Sequence, residues 1–242
     1  VKDFSMIPES LKHEFIESEF GKGQQISFLS MAAGPGNSQI EKKIYISLFE
    51  RYPDAAFVRT VYKNKSSDTP VTLNRVYSNM FTLDRRLVRK ESQSFDFWTF
   101  MGYGKILGGG HNNLRVNVLP VDKGLNVEND SETISGIPLV DIWSPEMGMA
   151  IASVEKRARI LKMPVYVDSD KNVNMGLLEE PEIKLRPGEE YSALKTAVFV
   201  HSLDYYNPVK RYSDVLADLG ITAKPCPQFG YEPFWCNWGY RK

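Results

Sequence analysis

Between residues 26 and 200 the chain alternates apolar and polar residues in short runs, and a turn signal breaks the pattern every dozen or so positions. A period of two is the period of a strand, because successive side chains leave a pleated backbone on opposite faces. In "EYSALKTAVFV", Leu194, Thr196, Val198 and Val200 fall on one face. The runs "GMAIASVE", "MPVYVD" and "NMGLLEE" follow the same rule, and "AAGPGNS" divides residues 26–48 into two strands and a turn. In "DAAFVRTVYKNKSSDTPVTLNRVYSNMFTL" two β-rich runs flank the polar residues 63–70, and the simplest reading is a hairpin. No helical pattern alternates with these strands, so the expectation is an all-β, two-sheet β-sandwich over residues 1–203 rather than a set of βαβ units.

The pattern then changes. In "YNPVKRYSDVLADLGI", Val209, Tyr212, Val215, Leu216 and Leu219 share one face at helical spacing. Asn207 suits the cap, Pro208 the first helical position and Gly220 the residue that closes the helix. The prolines of "TAKPCPQ" read as a linker, so residues 204–224 form a connecting helix and linker. Residues 225–242 then stand apart as the first element of another domain. Their closing stretch "YEPFWCNWGYRK" is too apolar to be left without a partner.

Thirty basic and thirty acidic residues cancel, which removes the sequence-independent attraction on which nucleic-acid binders and polybasic membrane anchors rely. Nucleic acid and membrane are therefore not expected partners, while neutral carbohydrate is. There is no signal-like apolar core and no run of 18 or more apolar residues. Cys226 and Cys236 make neither a disulfide framework nor a four-ligand zinc pattern.

Several phrases resemble the glycoside hydrolases of the α-galactosidase type, family 36 and its relatives. They are "FVRTVYKNKSSDTPVTLNRVYSNMFTLD", with its arginine-to-asparagine strand and Leu-Asp pair; the proline-led hairpin "GIPLVDIWSPEMGMAIASVE"; and "IKLRPGEEYSALKTAVFVHSLDYYNPVKRYSDVL", with its Pro-Gly-Glu turn running into a helix. The resemblance implies a galactose mutarotase-like β-supersandwich over residues 1–203, preceding a (β/α)8 catalytic barrel of which "EPFWCNWGYRK" is the first strand. It also implies that the two catalytic carboxylates, held about 5 Å apart in a retaining enzyme, lie on later barrel strands and outside this chain. One phrase departs from the pattern: where many bacterial relatives carry Ser-Ser-His before the proline hairpin, this chain reads "NVENDSETISGIP".

On that reading Asn237, Trp238 and Tyr240 lie near the active-site end of the first barrel strand. An indole there stacks on a sugar face, and an amide bonds a hydroxyl. Packing alone is the alternative reading for Phe234, Trp235 and Trp238. The Gly-rich stretch "MGYGKILGGGHNNL" has neither phosphate-binding spacing, so no cofactor is implied. With Trp98, Tyr103, His111 and Asn112 it is a candidate loop on the substrate side. "DSDKNVNMGLLE" places Asp168, Asp170, Asn172 and Glu179 at calcium-loop spacing, but Val173 stands where the sharp turn needs glycine, so a polar hairpin turn is the better reading. His111 and His201 have no metal-ligand spacing, and His201 reads as a satisfied core or edge residue. The sequons at Asn64 and Asn129 are short enough to arise by chance.

The function expected is that of a glycosidase's N-terminal domain, supporting a catalytic barrel and shaping its entrance, with homo-oligomer contacts as a further role. Two other readings remain open. One is a stand-alone carbohydrate-binding sandwich. The other is a mutarotase-like isomerase, which needs an acid and a base converging in a cleft, with His111 or His201 as the base.

Overall fold

The computed structural model describes residues 3–84, 95–104, 116–120, 135–144, 146–157, 159–170 and 172–222. Four long strands open the chain as an antiparallel meander: β1 (Ser5–Ser18), β2 (Gly21–Ala33), β3 (Gln39–Phe49) and β4 (Tyr52–Asn64). There follow β5 (Val71–Leu73), β6 (Val76–Leu83), β7 (Phe95–Gly104), β8 (Val116–Pro120), β9 (Ser135–Trp143) and β10 (Gly148–Ser153). The last strands are β11 (Val165–Val167), β12 (Val173–Glu179), β13 (Ile183–Leu185), β14 (Glu190–Ser192) and β15 (Thr196–His201), and the helix α1 (Tyr206–Asp218) comes after them.

Ten strands make one sheet in the order β1-β2-β3-β4-β15-β10-β9-β7-β8, with β14 also paired to β4. Its front face is covered by the three-stranded sheet β11-β12-β6 and the two-stranded sheet β13-β5. The result is the two-layer β-sandwich expected from the alternation, with the helix laid across the back. Where both faces are covered, consecutive residues are buried together: Leu139 and Val140 of β9 are both 0% exposed. Val140, Ile142 and Ile151 point forward onto Val165, Met175 and Leu177, while Leu139, Ala150 and Phe199 point back towards the cluster that holds Tyr212, Val215 and Leu219. Each large side chain fully buried in these layers contributes about 1.5–3 kcal/mol.

The segment after β4 does not form the hairpin that its two β-rich runs suggest. β4 pairs with β3, β15 and β14, whereas β5 pairs with β13 and β6 with β12, so the chain crosses from one layer to the other at residues 65–70. Asn64 fixes that crossing. It is 0% exposed, its amide donates to the carbonyls of Thr69 and Leu185 at 2.9 and 3.0 Å, and its Oδ1 accepts the Ser66 N–H at 2.9 Å. Asn64→Ala leaves three backbone groups, two of them in buried bonds, short of a partner and is expected to lower stability by about 2–4 kcal/mol in denaturant unfolding. A loss below about 0.5 kcal/mol would show that the crossing does not depend on this side chain. The same burial removes Asn64 from glycosylation in the folded protein.

"EYSALKTAVFV" is two strands, not one. At residues 193–195 the ladder breaks, and the Leu194 N–H donates to Glu179 Oε1 at 3.1 Å while the Lys195 N–H donates to Glu155 Oε1 at 2.8 Å. Helix α1 begins earlier than its spacing suggests: Asn207 lies inside it, and Asp204 Oδ1 accepts the Tyr206 N–H at 3.0 Å in place of the expected Asn207 cap. Pro208 still falls within the first turn, where no helical N–H is lost. Gly220 closes the helix with φ 77°, its N–H on the Ala217 carbonyl and the Ile221 N–H on that of Leu216. Among the described residues, no helix is long and apolar enough to cross a membrane.

Candidate functional site

On the back face, β9, β10 and β15 lie side by side, with Trp143 and His201 flanking Gly148, and Asp141 and Phe199 flanking Ala150. Because Gly148 has no side chain, the His201 ring can cross above it and reach the next row. Its Nε2 donates to Asp141 Oδ1 at 2.8 Å, with the two side chains 1% and 0% exposed. The other ring nitrogen, Nδ1, lies 3.3 Å from the Ser202 carbonyl oxygen. Both nitrogens thus face acceptors, which is the arrangement that suits an imidazolium.

Burial pulls the His201 pKa down, but the hydrogen bond and the charge of Asp141 outweigh it and hold the group above its ordinary value. Burial also pushes the Asp141 carboxyl up, against the opposing pull of His201. Asp141 Oδ2 has no hydrogen-bond partner, so the histidine is what compensates this carboxylate for leaving water.

An aromatic group stands beside the pair, starting from Trp143 across from Gly148. Trp143 stacks on Trp98 with ring centroids 6.4 Å apart and lies 5.8 Å from Tyr205, which stacks on Phe100 at 4.6 Å and on Tyr206 at 4.3 Å. Offset stacks of this kind add about 0.5–1.5 kcal/mol each beyond the area they bury. Of the substrate-side candidates, Trp98 and Tyr103 lie on β7, and Trp98 is a partly buried member of this aromatic group that packs against the back-face core. Asn237, Trp238, Tyr240, His111 and Asn112 lie outside the described residues.

His201 is a satisfied core residue, as its place at the end of an apolar strand suggested. With a side chain 1% exposed and bonded to an aspartate, it is not an open base facing a cleft. Asp141 was not singled out from the sequence. The signal was there: a lone acid inside the apolar run "PLVDIW" needs a buried partner. The residues at calcium-loop spacing close a hairpin between β11 and β12. Asp168 accepts the Asn172 N–H at 2.9 Å and the Asn174 side-chain amide at 3.1 Å, and the latter bond is the first reason that its pKa is lowered. Glu179 turns away into the sandwich, 4% exposed, where it accepts from Leu194 and Arg159.

These two carboxylates, Asp141 and Glu179, are the only ones buried among the described residues, and the ten-stranded sheet separates them. They cannot act as a pair on one glycosidic bond.

No protein-family model matches the chain. It is 22% identical, over 99% of its length, to the A type blood alpha-D-galactosamine galactosaminidase of Flavonifractor plautii, and spans 21% of that protein. Its fold matches the family 36 α-galactosidase AgaB of Geobacillus stearothermophilus with a TM-score of 0.60 at 12% identity, covering 89% of this chain and 30% of that one. The α-galactosidase of Lactobacillus brevis matches with a TM-score of 0.55 at 13% identity, over 89% of this chain and 28% of the other. The sandwich described above is thus a fold found as one part of much larger family 36 glycosidases.

Proposed function

We propose that this chain is the N-terminal sandwich domain of a glycosidase acting on α-galactoside-like carbohydrates, and that it supports a catalytic barrel and shapes its entrance without being catalytic itself. The observation that carries this reading is one of proportion: the relative matches nearly all of this chain, yet the chain spans only about a fifth of the relative. The placement of the acids supports it. Retaining hydrolysis needs two carboxyl groups about 5 Å apart, and the two buried acids of the described residues serve opposite layers of the sandwich. On this reading residues 204–224 lead to the barrel, residues 225–242 begin it, and Asn237, Trp238 and Tyr240 contribute to its sugar site.

The chain of 242 residues is expected to release no nitrophenol above background from aryl α-galactosides or aryl α-N-acetylgalactosaminides. The gene beyond the codon for Lys242 is expected to continue for a barrel's length, with two aspartates at strand ends. Turnover by the chain alone, abolished by a substitution within it, would overturn the non-catalytic role. A stop codon directly after Lys242 would overturn the domain reading.

A further inference from the structure

The chain leaves the sandwich through residues 202–205, between the end of β15 and the first turn of α1. Leu203 in that turn has φ 71°, in the left-handed region that is costly for a leucine. A residue stays there only where its surroundings over-determine it. The Leu203 side chain, 69% exposed, supplies no such hold, so the turn depends on its two ends. At the helix end, Asp204 Oδ1 accepts the Tyr206 N–H at 3.0 Å, the Asp204 carbonyl accepts the Asn207 N–H at 3.3 Å, and Tyr205 stacks on Phe100. At the strand end, His201 Nδ1 donates to the Ser202 carbonyl.

That last bond needs a proton on Nδ1. With both ring nitrogens facing acceptors, two protons are shared among Nδ1, Nε2 and Asp141 Oδ1. When one leaves, the other stays between Nε2 and the carboxylate, where the negative charge holds it. Nδ1 is then a bare lone pair 3.3 Å from a carbonyl oxygen, and an attraction has become a repulsion. We propose that the Asp141–His201 pair is a pH-sensitive latch on the neck between sandwich and helix. It is closed while His201 carries both ring protons, and it releases residues 202–205 once Nδ1 has lost its own.

Among the described residues, the charged groups that act on His201 are Asp141 of β9 and Asp204 of the turn, and both favour the closed form. β10 meets the ring with Gly148, which has no side chain, and β7 places Phe100 opposite Asp141. Tyr205 keeps its proton throughout, because its bond to Tyr206 raises its pKa further above neutrality. The charged residues of α1 are engaged elsewhere, Lys210 with Asp214, Arg211 with Asp54 and Asp218 with Arg51. Burial lowers the His201 pKa, but the bond and charge of Asp141 outweigh it. The latch is therefore closed below the ordinary 6.5 and opens as pH rises through a higher folded value. It belongs to this chain alone and stands whether or not a barrel follows.

The test is NMR of the full chain with nitrogen-labelled histidine between about pH 6 and pH 9, with amide hydrogen exchange measured at each pH against the intrinsic rate. The chain has three histidines, so few ring signals need assigning. The His201 ring is expected to pass from imidazolium to the Nε2–H tautomer above pH 6.5. Over the same step the amides of residues 203–206 are expected to exchange about tenfold faster, while those of Val140 and Ile151 in the central strands do not. Asp141→Asn keeps an acceptor but removes the charge, and is expected to lower the midpoint of both changes by about one pH unit. Any of four results overturns the proposal: a ring that stays charged up to the highest pH, an Nδ1–H tautomer above the step, exchange that rises equally in sheet and turn or in neither, or a midpoint that Asp141→Asn leaves in place.

Discussion

Asp141→Ala is expected to lower the free energy of unfolding by about 3–5 kcal/mol, the usual loss when one partner of a buried ion pair is removed. The reason lies with the residue left behind. His201 remains buried with an Nε2–H that has lost its acceptor, and the methyl group of alanine fills little of the space. Asp141→Asn keeps an oxygen at the same place and removes only the charge, so it is expected to cost less, about 1–3 kcal/mol. Denaturant unfolding of both variants separates the two contributions. Equal losses would mean that the charge, rather than the hydrogen bond, supplies the whole interaction.

The same pair sets a pH dependence with a definite sign. The folded-state pKa of His201 is raised above the ordinary 6.5, so the folded protein holds this proton more tightly than the unfolded chain does. Its contribution is therefore fully present below pH 6.5 and is lost as pH rises through the folded value. Thermal midpoints measured between about pH 6 and pH 9 are expected to fall for the natural chain, and to fall less for Asp141→Asn, where no carboxylate holds the proton.

Much of the sandwich was legible because it rests on local alternation, and the back face of the helix was legible for the same kind of reason. Tyr212, Val215 and Leu219 are buried where the spacing of three to four residues places them. What was not legible depends on partners far along the chain. The crossing after Asn64 is fixed by a carbonyl at Leu185, 121 residues away, and nothing in "KNKSSDTP" announces that contact. β1 also escaped notice. Its alternation of Lys12 and Glu14 with His13 and Phe15 is sound, but Pro8, the bulge and the charges that protect an outer strand from further pairing also disguise it as loop. At the candidate site, Trp98 and His201 could be noticed as residue types. Their neighbours Trp143, Asp141 and Tyr205 come together only once the register of β7, β9, β10 and β15 is set.

That register depends on a position with no side chain. A Cβ at residue 148 would overlap the His201 ring and lie 2.8 Å from the Trp143 Cβ, closer than packed atoms allow. Neither neighbour can retreat: the ring is fixed at both nitrogens, and Trp143 is held between Trp98 and Tyr205. Gly148→Ala is therefore expected to force the imidazole off Asp141 and to lose about 3–5 kcal/mol, as though the pair itself had been removed. A general cost of adding a methyl group to a tight core would be smaller, about 1–3 kcal/mol. Combining the substitution with Asp141→Ala distinguishes the two causes. If displacement of His201 is the mechanism, the double variant is little worse than either single one, because the same interaction cannot be lost twice. Simple addition of the two losses would mean that Gly148 acts only as a spacer between β9 and β15.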